Sequence, residues 1–220
     1  MNKDDPRTLT APVQAGTAHD RVYRKMCTMI LHGELEPGAS LTIRGVAADL
    51  GVSMTPVREA LRRLVAEGAL TMSSSGRIST PELTNERIEE LAAIRALLEP
   101  ELAARAMPRA HMALIERLEA LNRQIGLLVS QNARSGYVRA NLEFHRTLYL
   151  RAQAPAMLAL TETVWLQSGP TLRALYARQQ QTRAVEAHQK IIAALKAGDE
   201  PGLRIAVRAD VTGGLRMLVS

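Results

Sequence analysis

The sequence predicts a mainly α protein: three helices and a small β-hairpin at the N-terminus, followed by an all-α helical bundle. Composition predicts it first. Of 220 residues, 46% are hydrophobic but only 3% aromatic, so Leu, Ala, Ile, Val and Met must fill the core, and Ala and Leu are strong helix formers. Punctuation predicts the division, because helical apolar spacing recurs in three short blocks closed by Gly33, Gly51 and Gly68. Beyond Thr84 strand signals vanish and long helical patterns continue. The length suits one ordinary domain plus a small one. The expected boundaries are a flexible tail over 1–16, a small domain over 17–82 and a helical domain over 83–220.

Residues 1–16 carry charge, Pro and Thr without apolar periodicity, which reads as a tail. From His19 to Leu35, Val22, Met26 and Ile30, with Met29 offset, mark an amphipathic helix that Gly33 and Glu36-Pro37-Gly38 end. A second short helix covers about Ile43 to Leu50, with Ile43, Val46, Ala47 and Leu50 on one face. Gly51 then permits a sharp turn. A third helix is expected to start near Thr55-Pro56, a hydroxyl cap followed by a proline whose missing N–H costs nothing in the first turn. Val57, Ala60, Leu61 and Leu64 form its buried stripe. Ala69 to Met72, the tip Ser73-Ser74-Ser75-Gly76 and Arg77 to Thr80 read as a hairpin, and Pro81 ends the module. Four or more long helical patterns follow, divided at Pro108, Ser135-Gly136, Pro155 and Gly198-Asp199. The last begins near Pro201, with Leu203, Ala206 and Val207 on its apolar face.

The formal net charge of +6 suits a polyanionic partner, but its distribution is uninformative. Residues 18–82 hold eight Lys/Arg against seven Asp/Glu, and the excess lies further along, 18 against 13 from Leu83 onward. Placement of particular arginines must carry the argument. Cys27 is the only cysteine, which rules out an intramolecular disulfide or a cysteine-rich zinc module. The N-terminus lacks a signal pattern and no stretch approaches the roughly 18 apolar residues of a membrane span, so a cytoplasmic protein without membrane contact is expected.

A short helix, a glycine turn and a second helix is the helix-turn-helix arrangement, and the hairpin makes it winged. On the third helix the core stripe leaves Met54, Arg58 and Arg62 at four-residue spacing on another face, with Ser53 and Thr55 at its start. Such a helix enters the DNA major groove N-terminus first. Arginine there grips guanine O6 and N7 or pairs with phosphate. The plain alternative is a solvated face, with Arg63 paired to Glu59 four residues earlier. The flanking short helix and hairpin favour the first reading.

The run from Gly51 to Gly68, Gly-Val-Ser-Met-Thr-Pro-Val-Arg-Glu-Ala-Leu-Arg-Arg-Leu-Val-Ala-Glu-Gly, closely resembles the recognition segment of GntR-family transcriptional regulators, and Glu36-Pro37-Gly38 and Leu41 to Ala47 fit the stretch upstream. The resemblance implies DNA contacts from Arg44, Ser53, Thr55 and Arg58, with Gly76 at the wing tip nearing the minor groove. The family usually carries arginine where this chain has Met54. Methionine donates no hydrogen bond, so its contact would be apolar, such as to a thymine methyl.

The helical remainder resembles the FadR-subfamily ligand-binding (FCD) domain over about residues 84–218, carried by Arg87 to Leu91, Ile94 to Pro100, Asn141 to Leu148 and Glu186 to Asp199. Many such domains hold a metal with one aspartate and three histidines. Mapped here, those positions are Asn141, His145, His188 and Asp210. The carboxylate has in effect moved from the first position to the last, keeping one negative charge and losing one imidazole. Asn141 and His145 share a helix face, and Asp210, seven residues past Leu203, should face the apolar side of its helix. Zinc, nickel or manganese are the candidate cofactors, with harder ions favoured by the extra oxygen ligand. The alternative is two ordinary histidines lining a pocket.

Related domains bind small carboxylates or sugar acids. Arg95 and Arg139 are candidate effector contacts, although exposed arginines are common. His19, His32 and His111 lack suggestive partners, Trp165 and Met157 read as core or pocket wall, and Cys27 as a small buried hydrophobe. An enzyme is disfavoured: Glu143 and His145 are only two apart, and no glycine-rich phosphate loop or nucleophile elbow occurs. An interaction scaffold without DNA binding has Met54 as its sole hint, opposed by Arg44 and Arg58. The expectation is a homodimeric repressor reading a pseudo-palindromic double-stranded operator under control of a small-molecule effector.

Overall fold

The computed structural model describes residues 17–177 and 181–216, so the expected tail over 1–16 lies outside the described residues. Helix α1 spans Ala18–Leu31 and starts in a capping box between Thr17 and Asp20. Helix α2 is Ile43–Leu50, capped by the Thr42 hydroxyl on the Gly45 N–H. Gly51 follows with φ of 64°, the left-handed conformation that lets α3 turn away at once. Helix α3 is Met54–Ala66, one residue longer at its start than expected. Ser53, not Thr55, is the N-cap residue, and its side chain makes no capping hydrogen bond. Val22, Met26 and Ile30 from α1 meet Val57, Leu61 and Leu64 from α3 in one core.

Strands β2 (Thr71–Met72) and β3 (Ile78–Ser79) form the expected hairpin, but the sheet has a third strand that the sequence did not announce, β1 at Ser40–Leu41. The order is β1-β3-β2, antiparallel, with Ser40 opposite Ser79 and Leu41 opposite Ile78. Buried Thr80 holds β1 in place: its hydroxyl accepts from the Ala39 N–H at 2.9 Å and donates to the Glu36 carbonyl, while its own N–H reaches the Ala39 carbonyl at 3.0 Å. The Glu59–Arg63 pair of the plain alternative does not form. Arg63 bonds Glu67 at 2.9 Å and stacks 3.7 Å from the centroid of the Tyr23 ring, whose hydroxyl donates to Glu67 at 2.6 Å. Arg62 is the partner of Glu59, at 3.6 Å.

The remainder is a helical bundle: α4 (Asn85–Ala106), α5 (Met112–Ser130), α6 (Arg134–Tyr149), α7 (Pro155–Ala177), α8 (Gln181–Ala197) and α9 (Glu200–Arg216). Short 3₁₀ turns at Met107–Arg109 and Leu150–Ala152 join α4 to α5 and α6 to α7. The expected break at Ser135-Gly136 is absent. Helix α6 runs through it, and the turn lies at 131–133, where Asn132 takes φ of 53°. Gly136 instead faces Leu128 of α5, where a Cβ would come within 2.8 Å of the leucine side chain. Helix α4 packs along α9, and α5 lies between α6 and α8.

Helix α7 belongs to both halves. Trp165 is buried in the bundle core, whereas Leu166, the next residue, is buried in the core of the small domain. Gln167 donates to the Glu67 carbonyl at 2.9 Å and accepts from Arg87 at 2.5 Å. At Gly169 a Cβ would lie 2.6 Å from the backbone carbonyl oxygen of Ile30, so α1 and α7 touch there without room for a methyl group. Gly169→Ala must push the two helices apart. It is expected to lower stability by about 1–3 kcal/mol, the usual cost of overpacking, and to raise hydrogen exchange in α1. Unfolding in urea and exchange mass spectrometry check both.

Candidate nucleic-acid interface and metal centre

The outward face of α3 is built by subtraction. Val57, Ala60, Leu61 and Leu64 are fully buried, and the helical period then turns Met54, Thr55, Arg58 and Arg62 to solvent. Ser53 and Arg44 are exposed beside them, and Met54 is 49% exposed. Among the described residues neither Arg44 nor Arg58 has an ion-pair partner, whereas Arg62 has Glu59. Because no side chain caps α3, its first backbone N–H groups stay open to an anion. Gly76 sits at the hairpin tip with φ of 81° and open space around it. Arg77, next along the wing, is held by the Ser40 hydroxyl at 3.1 Å.

Inside the bundle three helices bring together three potential ligand groups. His145 of α6, His188 of α8 and Asp210 of α9 offer atoms within 4.8 Å of one another. His145 Nε2 lies 3.1 Å and His188 Nε2 3.8 Å from Asp210 Oδ2. His188 is fully buried and its Nε2 has no hydrogen-bond partner. Asn141 is half-buried one helical turn before His145. Phe144 stacks on the His188 ring with centroids 3.9 Å apart, holding the imidazole plane.

The electrostatics follow from burial. Burial brings the His188 imidazole from its ordinary value near 6.5 down to about 3, so the ring is neutral and keeps a lone pair. Burial by itself would raise the Asp210 carboxyl, but the hydrogen bond from His145 and the charges of His145, His188 and Arg95 bring it below the usual range. Two imidazole nitrogens and one carboxylate, with the His188 Nε2 an orphaned buried atom, fit a divalent cation.

Arg95 is not a surface arginine. It is buried, and its Nε donates to Glu99 Oε1 at 2.5 Å. Glu99, wholly buried, also accepts from Tyr149 Oη and Trp165 Nε1, each at 2.9 Å. Arg139 is exposed on α6. Cys27 is half-buried and burial pushes its thiol up, so it stays an unreactive thiol. Sequence reasoning missed Glu99, Tyr149 and Asn122, the last bonding both His188 Nδ1 at 3.2 Å and the Val185 carbonyl at 3.0 Å. An acid and an amide inside apolar helical stripes were the only available signals.

Comparison with known proteins agrees with this geometry. The family model described as bacterial regulatory proteins, gntR family, matches residues 18–78, and that of the FCD domain matches residues 90–213. The chain belongs to the gntR family. It is a DNA-binding transcriptional regulator with a winged helix-turn-helix and an FCD domain. The HTH-type transcriptional regulator McbR of Escherichia coli (strain K12) is 31% identical over 175 residues, 78% of this chain and 79% of McbR. A probable D-xylose utilization operon transcriptional repressor of Paenarthrobacter nicotinovorans is 28% identical over 88% of this chain and 83% of its own. The solved structure of E. coli McbR/YncC superposes with a TM-score of 0.84 at 27% identity, covering 93% of this chain and 97% of that one. No described helix of this gntR-family chain is long and apolar enough to cross a membrane.

The His188 shift fixes a pH dependence. Its folded value lies below its unfolded one, so between about 3 and 6.5 the unfolded chain binds the extra proton and stability rises with pH. With chelator present, unfolding free energy is expected to fall as pH drops through that window, by up to about 1.4 kcal/mol per pH unit for this proton. Urea titrations across pH check the slope, and His188→Gln should flatten it.

Proposed function

We propose that the protein is a homodimeric, effector-controlled repressor whose two winged helices occupy the half-sites of a pseudo-palindromic operator. The division of labour follows 17–82 as reading head and 83–220 as sensor. The single observation that carries the reading is Arg58: exposed and, among the described residues, without an ion-pair partner, on an α3 face whose opposite side is sealed in the core. Arg58 reads a guanine edge, Arg44, Ser53, Thr55 and Arg62 hold phosphates or bases, Met54 meets an apolar base surface, and Gly76 brings the wing to the minor groove. Two symmetric heads turn a short contact into a specific one.

The sensor takes a small carboxylate or sugar-derived acid beside a divalent zinc, nickel or manganese ion held by His145, His188 and Asp210, with Asn141 as a fourth, oxygen ligand. Arg95, a sequence candidate for an effector contact, is occupied by Glu99, which leaves exposed Arg139 as the candidate arginine. The bound ion would supply positive charge to orient the effector. Regulation requires that the effector bind the operator-competent and operator-free forms with different affinity. The protein works in the cytoplasm, where operator DNA lies, and catalyses no reaction.

Selection of bound sequences from random duplex DNA, with and without small carboxylates, tests the whole reading. On the selected operator Arg58→Ala is expected to weaken binding by about 1–3 kcal/mol and to relax preference at one base pair in each half-site. Anisotropy titrations at fixed salt measure it, and an unchanged affinity would defeat the assignment.

A further inference from the structure

We infer that Asn122 of α5 is a positioning residue that forces the His188 imidazole to carry its proton on Nδ1 and so turns its Nε2 lone pair toward Asp210. The inference rests on the metal reading for its purpose, but its geometry stands without a metal. The Val185 carbonyl can only accept a hydrogen bond. The Asn122 group 3.0 Å from it is therefore the amide Nδ2, and this fixes the flip of the carboxamide. Oδ1 then faces His188 Nδ1 at 3.2 Å, and since Oδ1 can only accept, Nδ1 must hold the hydrogen. What remains on the buried ring is an Nε2 with no partner, 3.8 Å from Asp210.

A second chain of bonds makes the same assignment at His145. Glu99 accepts from Arg95, Trp165 and Tyr149, and Arg95 and Trp165 have only donors to offer. The one hydroxyl hydrogen of Tyr149 is committed to Glu99, so Tyr149 Oη faces His145 Nδ1, at 3.3 Å, as an acceptor. His145 Nδ1 therefore also holds a hydrogen, and its Nε2, hydrogen-bonded to Asp210 at 3.1 Å, would release the hydrogen it donates there to bind a cation. Each imidazole is oriented from behind, one by an amide anchored on α8 and one by a buried acid on α4. Partners of this kind make a ligand set preorganised for a cation, since neither ring need turn to bind it.

Asn122 also ties α5 to the α8 backbone, and the test must separate that role from positioning. Asn122→Asp keeps an acceptor for His188 Nδ1 and loses the donor to Val185, whereas Asn122→Leu loses both. Long-range proton–nitrogen NMR of the metal-free protein reads the tautomer, and calorimetric titration with Zn(II) and Mn(II) reads affinity. In the wild-type protein His188 is expected as the Nδ1–H form. Asn122→Leu should mix the tautomers and weaken metal binding by about 10–100-fold, while Asn122→Asp should keep the tautomer and stay within a few-fold of wild type. Tyr149→Phe should weaken metal binding without changing the His188 tautomer. Equal losses in Asn122→Asp and Asn122→Leu, or a His188 tautomer unmoved by Asn122→Leu, would overturn the inference. A wild-type protein that takes up neither ion yet shows the Nδ1–H form would keep the positioning role and remove the metal reading.

Discussion

A carboxylate taken wholly out of water costs several kcal/mol unless donors surround it, and Glu99 is such a group. Its donors come from three helices: Arg95 one turn earlier on α4, Tyr149 at the end of α6 and Trp165 in the middle of α7. No pair of these helices can shift without leaving a buried charge or donor unsatisfied, which is more costly than losing an exposed bond. The acid thereby locks the bundle where its two tasks meet. Through Tyr149 it orients His145, and through Trp165 it holds the segment of α7 whose next residue enters the core of the reading head. An apolar side chain at position 99 could fill the volume but could set neither the hydroxyl of Tyr149 nor the indole of Trp165.

The sequence made the reading head legible because its signals are local. A helical apolar period, a glycine able to take positive φ and a polar hairpin tip each act within a few residues, and α2 and the buried stripe of α3 fall where those signals put them. Strand β1 was not legible. Two residues carry no period, and Ser40-Leu41 becomes a strand only because Thr80, far along the chain, bonds the turn before it. The choice between Glu59 and Glu67 for Arg63 was equally remote, since both lie four residues away and only the Tyr23 ring from α1 decides.

The same contrast runs through the sensor. His145, His188 and Asp210 were legible because a family spacing and the apolar phase of α9 marked them, and the structure brings their potential ligand atoms within 4.8 Å of one another. Arg95 reads as a surface residue in the sequence although Glu99 lies one turn along the same helix, because the tyrosine and the tryptophan that draw that acid into the core come from other helices. The residues that orient ligands are harder to read than the ligands themselves. Ligand chemistry restricts residue type, whereas any acceptor at the right place will fix an imidazole.

The size of the junction between head and sensor bears on whether such a site can act at a distance. Among the described residues it includes the close approach at Gly169, Leu166 buried in the core of the head, Leu31 of α1 packed against the bundle core, and the hydrogen bond from Gln167 to the Glu67 carbonyl. Burying a leucine contributes about 1.5–3 kcal/mol and each such bond about 0.5–1.5 kcal/mol, before the freedom lost in docking is subtracted. Individual contacts of this size are on the scale of the roughly 1–3 kcal/mol by which coupled sites ordinarily influence one another. A larger, wholly apolar interface would hold the head in one place whatever the sensor bound, and a flexible tether would report nothing. The proposed effector control would have to act through this junction, which lies one residue from the tryptophan that bonds Glu99.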